Sequence, residues 1–201
     1  DMRTKSCAAN LDQVLILIAA EPEFSESQLT RALIAAEAER ITPIIALNKS
    51  DLAEPFARAW SKLAPYRAMG YQVVPLAVKP KTDTPVANDA QTAQLGELLR
   101  GKKTLVLGPS GAGKSSLTNL LIPGAQVLTA EISQALNSGK HTTTSTTLYW
   151  LDDARTSALI DSPGFQEFGL HHIEPMQLAN YMPDLKVHAQ DCKFYNCTHL
   201  H

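Results

Sequence analysis

Gly108-Pro109-Ser110-Gly111-Ala112-Gly113-Lys114-Ser115 is the stretch on which the reading of this chain turns. It has the form G-x-x-x-x-G-K-[ST], a loop whose backbone N–H groups close around phosphate oxygens. Thr104-Leu105-Val106-Leu107 before it reads as a buried strand, and Ser116–Leu121 after it as the first turns of a helix. The motif requires that context, because the helix N-terminus adds free N–H groups and a positive dipole to the anion site. Residues 108–116 are therefore expected to hold a polyphosphate, with Lys114 reaching the β- and γ-phosphates and the Ser115 hydroxyl on Mg2+. An ordinary glycine turn is the plainer alternative, and the flanks argue against it.

Upstream, strands alternate with helices, which indicates a mainly parallel sheet with helices on both faces. Leu11–Ala20 is the first expected strand. Ser25 is a plausible N-cap with Gln28 three residues on, opening a helix to about Arg40 with Leu29, Leu33 and Ala36 on one face. Thr42-Pro43 is expected to end that helix, and Ile44–Leu47 to form the second strand. A second helix over about Pro55–Arg67 should kink or stop at Pro65. Tyr71–Val78 is a third strand, Lys79–Asn88 an exposed loop and Ala90–Leu99 a short helix. Downstream, 126–147 lacks a clean period and reads as a long functional loop. Leu148–Leu151 and Thr156–Ile160 read as a hairpin around Asp152-Asp153-Ala154, and a polar, partly helical segment follows Glu174.

The second strand runs into Asn48-Lys49-Ser50-Asp51, an N-K-x-D element. Guanine carries a ring N–H beside an exocyclic amino group, and one carboxylate can accept from both. Adenine lacks that pair of donors, so Asp51 would discriminate against it. Asn48 would support the site and touch the base edge, while the Lys49 stem would cover the flat face of base and sugar. Such tetrapeptides are common in solvated turns; a strand end in a chain with a phosphate loop is what lends this one meaning.

Asp161-Ser162-Pro163-Gly164 is a D-x-x-G element at another strand end. Asp161 would hold Mg2+ through a water, and the Gly164 N–H would meet the γ-phosphate. In Thr142-Thr143-Thr144, Thr143 is the expected hydroxyl completing the Mg2+ sphere, with Thr142 and Thr144 as alternates. Phe165 stands where many GTPases place a water-orienting glutamine, so slow intrinsic hydrolysis is expected. His141, beside the threonines, is the candidate for orienting water in an assembled complex. Near the end, Cys192-x4-Cys197-x-His199 offers three ligands at zinc-like spacing, with His201 as the fourth candidate in view.

Ordinary small GTPases carry the phosphate loop, the switch threonine, D-x-x-G and N-K-x-D in that order; here N-K-x-D comes first. The arrangement resembles the circularly permuted GTPases. Together with Ala8-Ala9-Asn10-Leu11-Asp12-Gln13, Gly139-Lys140-His141-Thr142-Thr143-Thr144, Asp161-Ser-Pro-Gly-Phe165 and the Cys/His element, it resembles the bacterial ribosome small subunit-dependent GTPase A family. That resemblance implies a circularly permuted P-loop GTPase domain over 1–173 and the start of a C-terminal zinc-binding region over 174–201. It implies GTP/GDP, Mg2+ and Zn2+ as cofactors, hydrolysis of the GTP β–γ anhydride, and action in late maturation of the small ribosomal subunit, stimulated by that subunit and its rRNA. Family members have an N-terminal OB-fold domain, whereas here the chain begins at the GTPase domain, and they have a further zinc-ligating cysteine. After the third strand they carry a base-contacting Ser-Ala-Lys, where this chain has Leu76-Ala77-Val78-Lys79; Ala77, Val78 and Lys79 are the expected contacts, through backbone N–H groups.

Composition bounds these expectations. With 201 residues, 44% hydrophobic and 19% charged, the chain has the make-up of one globular α/β domain with a small appendage. A net charge of -2 supplies no bulk attraction for nucleic acid, so rRNA contact would need a local patch. Three cysteines make no disulfide framework and no apolar run spans a membrane, so a cytoplasmic location is expected. A monomer is expected as well, though neither observation bears on it. A P-loop ATPase or kinase, which Asp51 argues against, and a nucleotide-dependent binding module are the competing functions.

Overall fold

The computed structural model describes residues 11–79, 85–122, 146–161 and 173–188. The strand Gln13–Ala19 (β1) is buried at all seven residues. It pairs in parallel with Thr42–Asn48 (β2) on one side and Lys103–Leu107 (β4) on the other. Gln72–Pro75 (β3) extends the sheet beyond β2, and Ala158–Asp161 (β6) beyond β4. Thr147–Trp150 (β5) closes that edge antiparallel to β6, giving the order β3-β2-β1-β4-β6-β5 among the described residues.

Side chains alternate across a strand, and both faces of β1 are covered. Val14, Ile16 and Ile18 pack with Leu29, Leu33 and Ala36 of the helix Glu26–Ala38 (α1). On the same face lie Ala59 of Ala53–Lys62 (α2), Leu63, and Tyr66 of Ala64–Ala68 (α3). Leu15 and Leu17 pack on the other face with Leu95 and Leu99 of Pro85–Leu99 (α4) and Leu117 of Lys114–Leu121 (α5). Each such buried leucine contributes roughly 1.5–3 kcal/mol relative to exposure. A strand apolar on both faces has no hydrophobic pattern to set its register. A buried polar contact does so: Gln13 Nε2 donates to Thr104 Oγ1 at 2.8 Å and to the Leu98 carbonyl at 2.9 Å, and a slip would orphan all three.

Local chemistry explains where elements start and stop. The Ser25 hydroxyl accepts the Gln28 amide at 3.3 Å, capping α1. Helix α1 stops at Ala38, and Arg40 turns the chain with φ 56°. Thr42-Pro43, expected to end that helix, instead opens β2. Proline is tolerated because the Thr42 amide points to β1, so position 43 faces the side where β3 begins only opposite Ile44. Pro65 splits the expected second helix into α2 and α3 and sits in the first turn of α3. Helix α4 begins at Pro85, so residues 85–88 are helical where an exposed loop was expected; proline suits a first helical turn. Strand β3 is shorter than Tyr71–Val78, since residues 76–78 turn to bond the end of β2. Beyond Glu174, the 3-10 helix Pro175–Tyr181 packs on α1 and buries Ala179, and a short helix follows over Pro183–Lys186. No helix among the described residues is long and apolar enough to cross a membrane.

The β5–β6 hairpin turn is held by Asp152. Its carboxylate accepts the Thr156 amide at 2.8 Å, the Thr156 hydroxyl at 3.0 Å and the Ser157 amide at 2.7 Å. Hydrogen bonding from the Ser157 side chain, then from the Thr156 amide, holds its pKa at about 2, below the ordinary 3.8. A carboxyl depressed on folding stabilises the fold fully above its unfolded pKa, and the contribution is lost as pH falls through the folded value. Asp152→Ala should therefore lower the urea midpoint at pH 5 and above. The gap to the native chain should narrow below pH 4, and an unchanging gap down to pH 3 would contradict this account.

Candidate nucleotide-binding site

Strand order places the site. The chain leaves β1 towards β2 and β3, then returns through α4 to β4 on the other side of β1. Open parallel sheets bind ligands beyond the carboxyl ends of the strands at such a reversal. A cavity of about 440 Å3 lies there. Pro109, Ser110, Gly111, Gly113, Lys114, Ser115 and Ser116 line it from the end of β4 and the start of α5. Asn48, Lys49, Asp51 and Leu52 line it from the end of β2, Val78 and Lys79 from beyond β3, and Glu21 from beyond β1. The two segments expected to hold purine and polyphosphate thus meet at one cavity although they lie far apart in the sequence.

The phosphate loop is shaped by close contacts. A Cβ on Gly108 would lie 2.4 Å from the Leu17 carbonyl oxygen, so glycine lets β4 leave the sheet against β1. Gly113 has φ 105° and precedes α5, and a Cβ there would meet Asn48 Nδ2 at 2.5 Å. Lys114 Nζ donates to the Gly108 carbonyl at 3.0 Å, folding the ammonium back over its own loop. Burial lowers the Lys114 pKa, and the Asp161 carboxylate opposes that shift. A half-buried cation favours an incoming anion, because a phosphate would relieve what desolvation costs it.

Asn48 ties the walls together. Its Nδ2 donates to the Ala112 carbonyl at 2.9 Å, and its Oδ1 accepts the Val78 amide at 3.1 Å. The residue is 5% exposed, so this amide clamps the phosphate loop to the segment after β3. Lys49 turns the chain at the end of β2 with φ 68°, and its Nζ donates to the Glu21 carbonyl across the cavity. Ser50 donates through its amide to the Leu76 carbonyl at 2.8 Å and through its hydroxyl to Gln91 Oε1 at 3.3 Å. The turn carrying Asp51 is thus braced from β3 and from α4.

Several expected residues support the cavity from outside its wall. Gly108, Ala77 and Ala112 are buried behind it, with the Ala112 carbonyl engaged by Asn48. Asp161 ends β6 opposite Val106, 1% exposed, with its charge felt by Lys114. The Ser115 hydroxyl and the Asp161 carboxylate are hard oxygen donors of the kind Mg2+ takes, so the residues present suit that ion. His141, Thr143, Gly164, Cys192, Cys197 and His199 lie outside the described residues. Among the described residues no group of three or more His, Cys, Asp or Glu could hold a metal ion. Glu21, Leu52 and Gln91 were not anticipated. Glu21 was findable in principle, since it follows the first strand of an α/β sheet, but only the strand order shows which strand ends meet.

Comparison with known proteins settles the family. The family model described as RsgA GTPase matches residues 1–171. The chain belongs to the RsgA GTPase family. It is 75% identical over 201 residues to the small ribosomal subunit biogenesis GTPase RsgA of Variovorax paradoxus (strain S110), covering all of this chain and 61% of that protein. It is 54% identical to the protein of the same name from Burkholderia mallei (strain SAVP1), covering 99% of this chain and 61% of the relative. The chain therefore spans about three-fifths of the length of these RsgA relatives. Among solved structures, YjeQ from Thermotoga maritima matches with TM-score 0.72 and 29% identity, over 96% of this chain and 61% of that one. YloQ, described as a circularly permuted GTPase, matches with TM-score 0.67 and 28% identity, over 95% and 57%. The fold is that of a circularly permuted P-loop GTPase, as the motif order implied. In this sheet the phosphate-loop strand β4 is internal to the sequence, yet it lies beside β1, which flanks the N-K-x-D strand β2.

Proposed function

We propose that this chain binds GTP and GDP and hydrolyses the GTP β–γ anhydride as part of a protein acting in late maturation of the small ribosomal subunit. The observation that carries the proposal is the meeting of Asp51 and Lys114 at one cavity. Asp51 would accept the paired donors of guanine, the Lys49 stem would lie along the base, and a backbone N–H from Ala77–Lys79 would meet the base edge. The Val78 amide donates to Asn48 Oδ1, which fixes that trio beside the N-K-x-D element. The loop amides of 108–116 and Lys114 would hold the phosphates. Ser115 and Asp161, with Thr143, would hold Mg2+, which neutralises charge developing on the transferred phosphoryl group. Gly164 would contact the γ-phosphate and His141 would orient the attacking water.

Family membership supports the ribosomal part, since the matched relatives are named for small ribosomal subunit biogenesis. The partner is then the small subunit and its rRNA, in the cytoplasm, with the protein acting as a monomer. Zinc would be held by Cys192, Cys197 and His199. GTP turnover measured with and without purified small subunits tests the proposal. Slow turnover alone and marked acceleration on adding subunits is the expected result. Equal rates would remove the ribosomal assignment, and equal competition by ATP and GTP for binding would favour the ATPase reading instead.

A further inference from the structure

Two ends of the cavity have occupants in the reading above, and its middle does not. The strand order β2-β1-β4 puts the segment after β1 between the turn carrying Asp51 and the phosphate loop. A nucleotide spanning those two must lay its sugar beside that segment. Glu21 is the residue there that lines the cavity. Its backbone is held at both sides: the Ala20 amide donates to the Asn48 carbonyl at 3.0 Å, and Lys49 Nζ donates to the Glu21 carbonyl. The carboxylate takes no part in either bond, and the residue is exposed.

We propose that Glu21 reads the sugar of the bound nucleotide, its carboxylate accepting the 2′- and 3′-hydroxyls of ribose. This deepens the guanine-nucleotide reading and rests on it. The chemistry selects the sugar over the other parts. Phosphates would repel a carboxylate, and the guanine donors belong to Asp51. A ribose diol offers two adjacent O–H donors to an acceptor-only group with two oxygens. Asp51 and Glu21 are the two carboxylates on this wall among the described residues, and they lie on adjacent strand ends. The Lys49 bond gives the position its precision, because it ties the segment bearing Glu21 to the turn that holds the base.

Calorimetric titration of the native chain, Glu21→Ala and Glu21→Gln with GDP and with 2′,3′-dideoxy-GDP tests this. The native chain should bind GDP about tenfold more tightly than the dideoxy nucleotide, the net scale of a hydrogen-bonded diol that water screens in an open site. In Glu21→Ala the ratio should fall towards one through weaker GDP binding, with dideoxy-GDP unaffected; Glu21→Gln should fall between. A native ratio near one, or a ratio kept in Glu21→Ala, overturns the assignment while leaving GDP binding intact. A folded native chain that binds neither nucleotide overturns the guanine-nucleotide reading and this inference with it.

Discussion

Asp51→Ala should weaken GDP and GTP binding by about 10²–10³-fold and abolish the preference for guanine over adenine nucleotides. A hydrogen bond to a charged group is worth about 1.5–3 kcal/mol, and the guanine edge offers two donors to one carboxylate. The upper end of that sum does not apply, since Asp51 is half-buried at an open cavity and water screens it. Discrimination should respond more than affinity, because the phosphate loop holds GTP and ATP alike. Competition titrations of GTP against ATP on the native chain and the variant read both quantities. A variant that still prefers GTP by more than tenfold would place guanine recognition elsewhere.

Gly113→Ala is expected to be strongly damaging to the phosphate loop, for two independent reasons. The φ of 105° strains any residue with a Cβ by about 1–3 kcal/mol. The added carbon would also lie 2.5 Å from Asn48 Nδ2, and that amide cannot simply swing aside. It is anchored by its bonds to the Ala112 carbonyl and the Val78 amide, and moving it leaves buried groups unsatisfied at about 1–3 kcal/mol. The variant should lose roughly 3–5 kcal/mol of stability by urea unfolding and all measurable GDP binding. Combining it with Asn48→Ala should not restore binding, since the backbone strain remains and the clamp is gone. Native-like GDP affinity in Gly113→Ala would refute the clamp.

Much of this fold was legible because its parts are local. The strand–loop–helix around residues 108–115 announces itself through glycine placement and an apolar run, and α1 through the Ser25 cap and the spacing of Leu29, Leu33 and Ala36. The misplaced boundaries were those decided by neighbours. Pro43 could join β2 only because no strand lies opposite its missing N–H, and nothing in 42–47 announces that. Residues 85–88 looked like loop because the stretch 79–88 is rich in Pro, Thr and Asp, yet a proline at the head of a helix is harmless.

The same division runs through the site. The sequence by itself determined which chemical groups are present and in what order: an anion loop with its lysine, a carboxylate suited to guanine, and a motif order that marks a permuted GTPase. These are short-range matters, set by residue type and spacing. Only the tertiary structure decided that the ends of β2, β1 and β4 stand side by side, so that Asn48 clamps Ala112 to Val78 and Glu21 falls between the turn carrying Asp51 and the phosphate loop. The reason is physical: strand order follows from which faces of the helices bury which faces of the sheet, a property of the packed whole that no stretch of sequence carries alone.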